Sequence, residues 1–428
     1  MKRPAGQEDL RPPGFAYRAG VLHCEGKDLR ALADAYGTPL YVYSATTIRD
    51  RTRTLDAAFA GFPHTLCYAV KANSNLSLLR LFAQLGCGFD VVSGGELERV
   101  LRAAPRAAKK VVFSGVGKTR EEIELALRSG ILLFNVESPA ELEVLFECAS
   151  RLRKMARVAV RVNPDVDAKT HPYISTGLRK HKFGIALEEA AGLYAKVTRQ
   201  KYTQVAGVSV HIGSQITSVS PFGEAMQRVA AMVKELQSSG HDIRYVDAGG
   251  GLGISYEGKM RNFAAQARRY AQAVVKPLRE LGVHLLLEPG RVLVGPSSAL
   301  LTSVIYNKTN RGKRFVIVDA GMNDLLRPAL YGAEHEIVPV LQDASRERAI
   351  VDVVGPVCES GDFLARGREL AAVGEGELLA VLDSGAYGTV LGSNYNTRPR
   401  PAEVLVDGVR VRVIRRRETF EEMVRAEE

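Results

Sequence analysis

Residues 65–104 read TLCYAVKANSNLSLLRLFAQLGCGFDVVSGGELERVLRAA. Two short apolar runs, TLCYAV (65–70) and GFDVVS (88–93), are each followed by a turn and an amphipathic stretch, NLSLLRLFAQLG (75–86) and GELERVLRAA (95–104). The runs are too short for buried helices. They are apolar almost throughout, as strands covered on both faces are. The stretches between them carry the helical period. The same unit recurs with KVVFSG (110–115), LLFNVES (132–138), RVAVRVNP (157–164), QVAGVSVHIGS (204–214), IRYVDAGGG (243–251) and HLLLEPGR (284–291). Helical patterns such as REEIELALRSG (120–130) and SPAELEVLFECASRLRK (138–154) lie between them, several opening on Ser or Thr and closing on Gly. Eight strand–helix units over about 240 residues match a (β/α)8 TIM barrel. That α/β fold is the expectation, with an open doubly wound sheet as the competing arrangement.

The rhythm changes after about residue 296. RFVIVDAG, HEIVPVLQD, RAIVDVVGPV, ELLAVLDSG and AEVLVDGVRVRVIR are strand-like and separated by Gly, Asp and Asn turns. VLHCEG (21–26) and TPLYVYS (38–44), near the start, have the same character. The expected organisation is a barrel over 41–295 and a β-rich second domain built from 1–40 and 296–428.

Composition narrows the function. With 428 residues, 25% charged and 46% hydrophobic, the chain is neither disordered nor collagen-like. No apolar run approaches the roughly 18 residues of a membrane helix. The first residues, MKRPAGQEDLRPPGFAY, lack an apolar core and carry Glu8 and Asp9, which is unlike a signal peptide. A cytoplasmic protein without a membrane partner is expected. Five cysteines, at 24, 67, 87, 148 and 358, show no CxxC or metal-ligand spacing, so neither a disulfide framework nor a metal site is expected. The net charge of +10 raises the question of nucleic acid. However, the basic residues are spread among acids, and Arg415-Arg416-Arg417 runs straight into Glu418. The charge reads as a solvated surface that attracts anionic small molecules.

In an eight-stranded barrel, chemistry sits at the C-terminal strand ends. The first strand runs into Lys71, where two readings are open. The amine could reach out to water, or it could be desolvated into a nucleophile that condenses with an aldehyde. The other ends supply Asp90 and Ser93, Ser114, Arg161 and Asn163, His211 and Ser214, Asp247 with Gly249-Gly250-Gly251, and Glu288 with Arg291. Three glycines allow close backbone approach and could cradle a phosphate, or could form a merely flexible loop. Glu288 could pair with Arg291 or hold a proton on a heteroaromatic nitrogen. Together, a lysine, a phosphate cradle, an acid and a flat imidazole suit pyridoxal 5'-phosphate.

The motifs YAVKAN (68–73), HPYISTG (171–177), KFGI (182–185), HIGSQI (211–216), DAGGGLGI (247–254), EPGR (288–291), RPALYGA (327–333), CESGD (358–362) and SNYNTRPRP (393–401) extend this pattern over nearly the whole chain. In them the chain resembles the barrel class of pyridoxal-phosphate amino-acid decarboxylases, and within it the branch acting on meso-2,6-diaminopimelate. The resemblance implies decarboxylation to L-lysine and CO2. Lys71 would bond to the cofactor aldehyde, His211 stack on its ring and Glu288 pair with its ring nitrogen. Gly249, Gly250, Gly251, Ser214 and Tyr387 would hold the phosphate, and Asp90 and Arg161 would line the other side. Arg291, Arg327 and Tyr331 would bind substrate carboxylate. Cys358 and Glu359 would come from the neighbouring subunit of a homodimer, Cys358 as the acid that protonates carbon and Glu359 as partner of the distal ammonium. By residue type alone, Cys358 could equally be a small buried residue. Related decarboxylases of ornithine, arginine or carboxynorspermidine are the alternative. Racemase-like chemistry fits less well, because that family places an arginine where Glu288 stands. Glu334 departs from an aromatic common in the family, which bears on pocket shape. Residues 165–182 read as a mobile lid, with no role assigned to His171 or His181.

Overall fold

The computed structural model describes residues 14–166, 182–256 and 262–428. Of the segment read as a lid, residues 167–181, with His171, His181 and the HPYISTG motif, lie outside the described residues. The chain divides into two compact units. One comprises Arg51–Gly253 and Asn262–Val292. The other comprises Leu293–Glu428 with the described parts of Met1–Asp50 and Ile254–Arg261.

The first unit is a closed barrel of eight parallel strands. They are β1 (His64–Ala69), β2 (Gly88–Val91), β3 (Val111–Phe113), β4 (Leu133–Val136), β5 (Ala156–Asn163), β6 (Thr203–Val210), β7 (Tyr245–Asp247) and β8 (His284–Leu287). Each pairs with the next, and β8 pairs back onto β1, which closes the barrel, while the short strand Ile185–Ala186 adds to β5 from outside the ring. The expected strands are all present. Several are shorter than the apolar runs, because the ladder stops where glycines and polar side chains begin. β7 ends at Asp247, before Gly249–Gly251, and β1 ends at Ala69, so Lys71 rides on a single 3-10 turn, Val70–Ala72. Helix starts follow the sequence signals. Thr119 and Glu122 form a reciprocal capping box at Arg120–Ser129, which closes on left-handed Gly130.

Cys67, Val112, Leu133, Ala159, Ala206 and Leu286 pack together inside the barrel. Side chains alternate along a strand, so residues two and four positions further on lie on the same inner side. Above Val112 stands Ser114; above Leu133, Asn135 and then Glu137; above Ala159, Arg161; above Leu286, Glu288. The apolar floor thereby places the polar residues of the mouth.

The second unit is β-rich. Its long strand Ser298–Asn310 pairs with Leu40–Ser44 and Leu378–Val381 along its buried first half, then with Lys313–Val318 beyond an irregularity at Val304/Tyr306. Leu40–Ser44 continues to Ala402–Asp407 and Arg410–Arg415. Lys313–Val318 continues to Arg348–Val354 and Phe363–Ala371. Leu22, Leu29, Leu40, Val42, Leu301, Ala380, Val404 and Val406 lie in its core. Short Phe15–Arg18 and Lys27–Asp28 escape the sequence reading, and so do two longer strands. Phe363–Ala371 is an edge strand whose charged Arg366, Arg368 and Glu369 hide the alternation. Ser298–Asn310 is apolar first and polar later, so it fits neither strand template throughout.

Leu286 is fully buried in the barrel interior. Leu286→Ala is expected to lower the stability of the barrel by about 2–5 kcal/mol through the cavity it leaves. A lower unfolding midpoint checks this, and an unchanged midpoint would contradict the packing described.

Candidate functional site

The polar residues of the barrel converge at the C-terminal ends of its strands. Lys71 Nζ lies 2.5 Å from Asp90 Oδ2. The lysine side chain is one-third exposed and the aspartate is fully buried. Behind this pair lie two further buried carboxyls, Asp247 and Glu288. Ser114 Oγ donates to Glu288 Oε1 at 3.2 Å, and Asn135 Nδ2 donates to Ser114 Oγ at 3.1 Å and to Asp247 Oδ2 at 2.7 Å. One network thus crosses the barrel from β3 and β4 to β7 and β8. Asn135 is outside the expected set. Its position two residues above Leu133 is the signal that locates it.

Burial dominates the electrostatics. It raises the Glu288 carboxyl well above its ordinary range, and the neighbouring Asp247 and Asp90 push it the same way, against Lys71. Burial likewise lifts Asp247 to about 6, although Asn135 and the Gly249 amide stabilise its anion. Buried carboxyls side by side cannot all ionise cheaply. Burial and mutual repulsion therefore favour a proton on the Asp247–Glu288 pair.

His211 follows β6 and is partly exposed. Its Nδ1 accepts from the Gly250 N–H at 3.0 Å. Burial, with Arg161 and Lys71 nearby, lowers its pKa well below the ordinary value, so the ring is neutral. The glycine turn packs on this ring. A Cβ on Gly249, whose φ is +66°, would lie 2.5 Å from Val210 O and 2.7 Å from His211 Nδ1. A Cβ on Gly251, at φ +103°, would lie 2.3 Å from Gly213 O. Only glycine fits this left-handed, tightly apposed backbone. Gly249 N–H donates to Asp247 Oδ1, so the Gly249 and Gly250 amides are both used within the protein. Ser214 Oγ accepts from Arg291 Nη2 at 3.1 Å, bringing together two residues to which the resemblance gives different tasks.

Arg161 is buried and bonded to Glu137, with Nη1 2.7 Å from Oε1. The same carboxylate accepts from the Gly115 and Gly184 amides, and the Phe183 ring lies 4.9 Å from the guanidinium carbon. Glu137 is thus a second residue missed by the sequence reading, and it explains the KFGI motif. Lys118 is fully buried and donates to Gly115 O, Asn135 O and Glu141 Oε1.

The remaining expected residues belong to the β-rich unit. Arg327 is buried. Its Nη1 lies 2.5 Å from Tyr256 OH and 3.0 Å from His335 Nε2. Tyr331 ends the short helix that Arg327 begins, and Glu334 is exposed just beyond. Cys358 is exposed, which removes the reading of it as a small buried residue. Its N–H donates to Asn396 Oδ1 at 2.7 Å, and Glu359 beside it is exposed too. Asp362 fixes this turn by accepting from the Met322 and Val357 amides, both at 2.6 Å. Tyr387 sits at φ +55°. Among the described residues no cluster of His, Cys, Asp or Glu could hold a metal ion, and no helix is long and apolar enough to cross a membrane.

A carboxyl raised by folding favours the fold below its unfolded pKa, and that stability is lost as pH rises through the folded value. For Asp247 the window runs from the ordinary value of 3.8 to about 6. Ligand-free protein is expected to lose on the order of 3 kcal/mol across it relative to Asp247→Asn. Unfolding midpoints of both proteins between pH 4.5 and 7.5 check this, and parallel curves would refute it.

Comparison with known proteins gives the site its family. Residues 45–295 match the pyridoxal-binding domain of the pyridoxal-dependent decarboxylases. A diaminopimelate decarboxylase of Pseudomonas aeruginosa is 50% identical over 414 residues, covering 96% of this chain and 98% of that protein. The crystal structure of diaminopimelate decarboxylase from M. jannaschii in complex with L-lysine superposes with a TM-score of 0.91 at 40% identity, over 97% of this chain and 98% of that one. The Helicobacter pylori enzyme with L-lysine gives 0.89 at 43% identity, over 94% and 99%. Such identity over nearly the full length of both partners shows that the chain belongs to the pyridoxal-dependent decarboxylases, in their diaminopimelate decarboxylase family.

Proposed function

We propose that this enzyme removes CO2 from meso-2,6-diaminopimelate to give L-lysine, the last step of lysine biosynthesis, with pyridoxal 5'-phosphate as its cofactor. The observation that carries the reading is the amine of Lys71 at the mouth of the barrel, beside a buried carboxylate and above two more. The residues fit the cofactor. The buried carboxyls include Glu288, whose pKa burial raises, and Asp90 Oδ1 is buried without a hydrogen-bond partner among the described residues. The backbone of Gly249–Gly251 is kept free of side chains where a Cβ would collide.

Pyridoxal 5'-phosphate supplies an aldehyde that bonds to amines and a ring that accepts the electron pair left when CO2 departs. Lys71 would hold the cofactor through its amine, which Asp90 orients at Nζ. Glu288 holds the proton on the ring nitrogen. Its raised pKa in the ligand-free protein is the unpaired state of a carboxylate that falls back to the ionised form once a cation faces it. Neutral His211 lies against the ring, its orientation fixed by the Gly250 amide. The Gly251 amide, Ser214 and Tyr387 bind phosphate, and Gly249 and Gly250 shape the turn that presents it. Arg161 lines the cofactor's other side, steadied by Glu137.

Arg291, Arg327 and Tyr331 hold substrate carboxylate. Planar guanidinium groups match a carboxylate with two parallel hydrogen bonds, which suits a substrate keeping one carboxylate at its distal end. Cys358 delivers the proton to carbon and Glu359 pairs with the distal ammonium, both from the second subunit of a homodimer. Their exposure on a turn braced by Asp362 and Asn396 supports that use. A cytoplasmic location completes the reading.

Purified, cofactor-loaded protein is expected to convert meso-diaminopimelate to L-lysine and CO2, and Lys71→Ala to lose both this activity and the absorbance of the lysine-bound cofactor. No lysine from meso-diaminopimelate, with turnover of ornithine, arginine or carboxynorspermidine instead, would reassign the substrate. Glu288→Gln is expected to lower kcat at least about a hundredfold with a smaller change in KM, because its charge matters most as electrons enter the ring. A near-normal kcat would remove Glu288 from that role.

A further inference from the structure

His335 is fully buried, and no motif of the sequence assigns it a task. It lies just before the strand Ile337–Pro339, which pairs with Leu378–Val381. Its Nδ1 lies 2.8 Å from Leu382 O. A carbonyl oxygen only accepts, so Nδ1 carries the hydrogen. Its Nε2 lies 3.0 Å from Arg327 Nη1. A guanidinium only donates, so Nε2 is the acceptor. Both contacts thus demand one neutral tautomer. The Tyr256 ring packs edge-on against the imidazole at 4.9 Å and lies 4.7 Å from the Arg327 guanidinium carbon. The backbone position of Leu382 is itself fixed, its N–H donating to Glu336 O at 2.8 Å. A rigid path therefore runs from the sheet through Leu382 O and the imidazole to one nitrogen of Arg327.

We propose that His335 is a positioning residue that sets the selectivity for ligands carrying a carboxylate over simple diamines, by holding the Arg327 guanidinium in the orientation that receives the carboxylate. The choice of imidazole has a physical reason. A carboxylate at this position would neutralise Arg327 and compete with the ligand, as Glu137 neutralises Arg161 on the barrel side. A neutral ring holds the guanidinium without itself cancelling the charge. A long, flexible arginine held in this way loses less conformational entropy on binding. The inference rests on the reading of Arg327 as a carboxylate-binding residue.

The test compares binding of L-lysine, which keeps one carboxylate, with cadaverine, which has none, by calorimetry on the holoenzyme. Losing a buried hydrogen bond to a charged group corresponds to about tenfold or more in affinity. His335→Asn offers a donor towards Leu382 but cannot reach Arg327, and is expected to bind L-lysine at least tenfold more weakly by that rule, with cadaverine within about twofold. His335→Gln, whose side-chain oxygen can stand in for Nε2, is expected to recover most of the lysine affinity. Equal losses for both ligands, or an unchanged preference in His335→Asn, would overturn the proposal.

Arg327→Ala separates the two layers of the argument. If it abolishes the preference while His335→Asn keeps it, His335 is not the positioning group. If Arg327→Ala itself keeps the preference, the carboxylate reading of Arg327 falls. Should His335→Asn fail to fold, Tyr256→Phe takes its place. With His335 still holding the guanidinium, the preference for L-lysine is expected to persist, and its loss would overturn the proposal.

Discussion

The ion pair between Lys71 and Asp90 sets the terms for the rest of the barrel. A buried aspartate needs a cation, and Lys71 is that cation, so the amine proposed for the chemistry is also what makes the mouth electrostatically tolerable. The cluster beneath it exceeds what one lysine can neutralise. Asp247 and Glu288 answer by retaining a proton, and Ser114 and Asn135 link their oxygens across four strands. The site is thereby built to receive positive charge. A protonated heteroaromatic ring would supply it, and the carboxylate charge that would hold such a ring would make it a better acceptor of electrons.

Two arginines illustrate how a protein decides whether a guanidinium is available. Arg161 is gripped by a carboxylate that also takes two backbone amides, so its charge is cancelled where it stands and its role is to shape the site. Arg327 is held by a tyrosine hydroxyl and an imidazole, neither of which cancels its charge. Both are buried to a similar degree. Burial alone does not separate these two arginines; the nature of these neighbours does.

Much of this was legible in the sequence, for a mechanical reason. Barrel strands are buried on both faces, so their apolar runs stand out, and the alternation along each strand carries polar residues to the mouth in a fixed phase. Lys71, Asp90, Arg161, Glu288 and the glycine turn follow from that rule. Asn135 and Glu137 obey it too, two and four residues above Leu133, yet a residue type without an obvious reaction draws no attention until its partners are seen. His335 was harder. Its value lies in a carbonyl forty-seven positions away in the chain. In the β-rich unit, exposed edges and mixed strands such as Phe363–Ala371 carry too little alternation to announce themselves.

Lys118 shows why a buried lysine is not in itself a nucleophile. It is less exposed than Lys71 and sits equally close to acidic groups. An ammonium has three hydrogens, and Lys118 donates to three acceptors, two backbone carbonyls and Glu141. Lys71 differs in its access. It stands on a single 3-10 turn beyond the end of its strand, and a third of its side chain reaches water, where a reacting molecule can approach. Of two lysines placed near the same mouth, one is buried among three acceptors inside the barrel, and the other keeps a third of its side chain within reach of solvent, as the proposed chemistry requires.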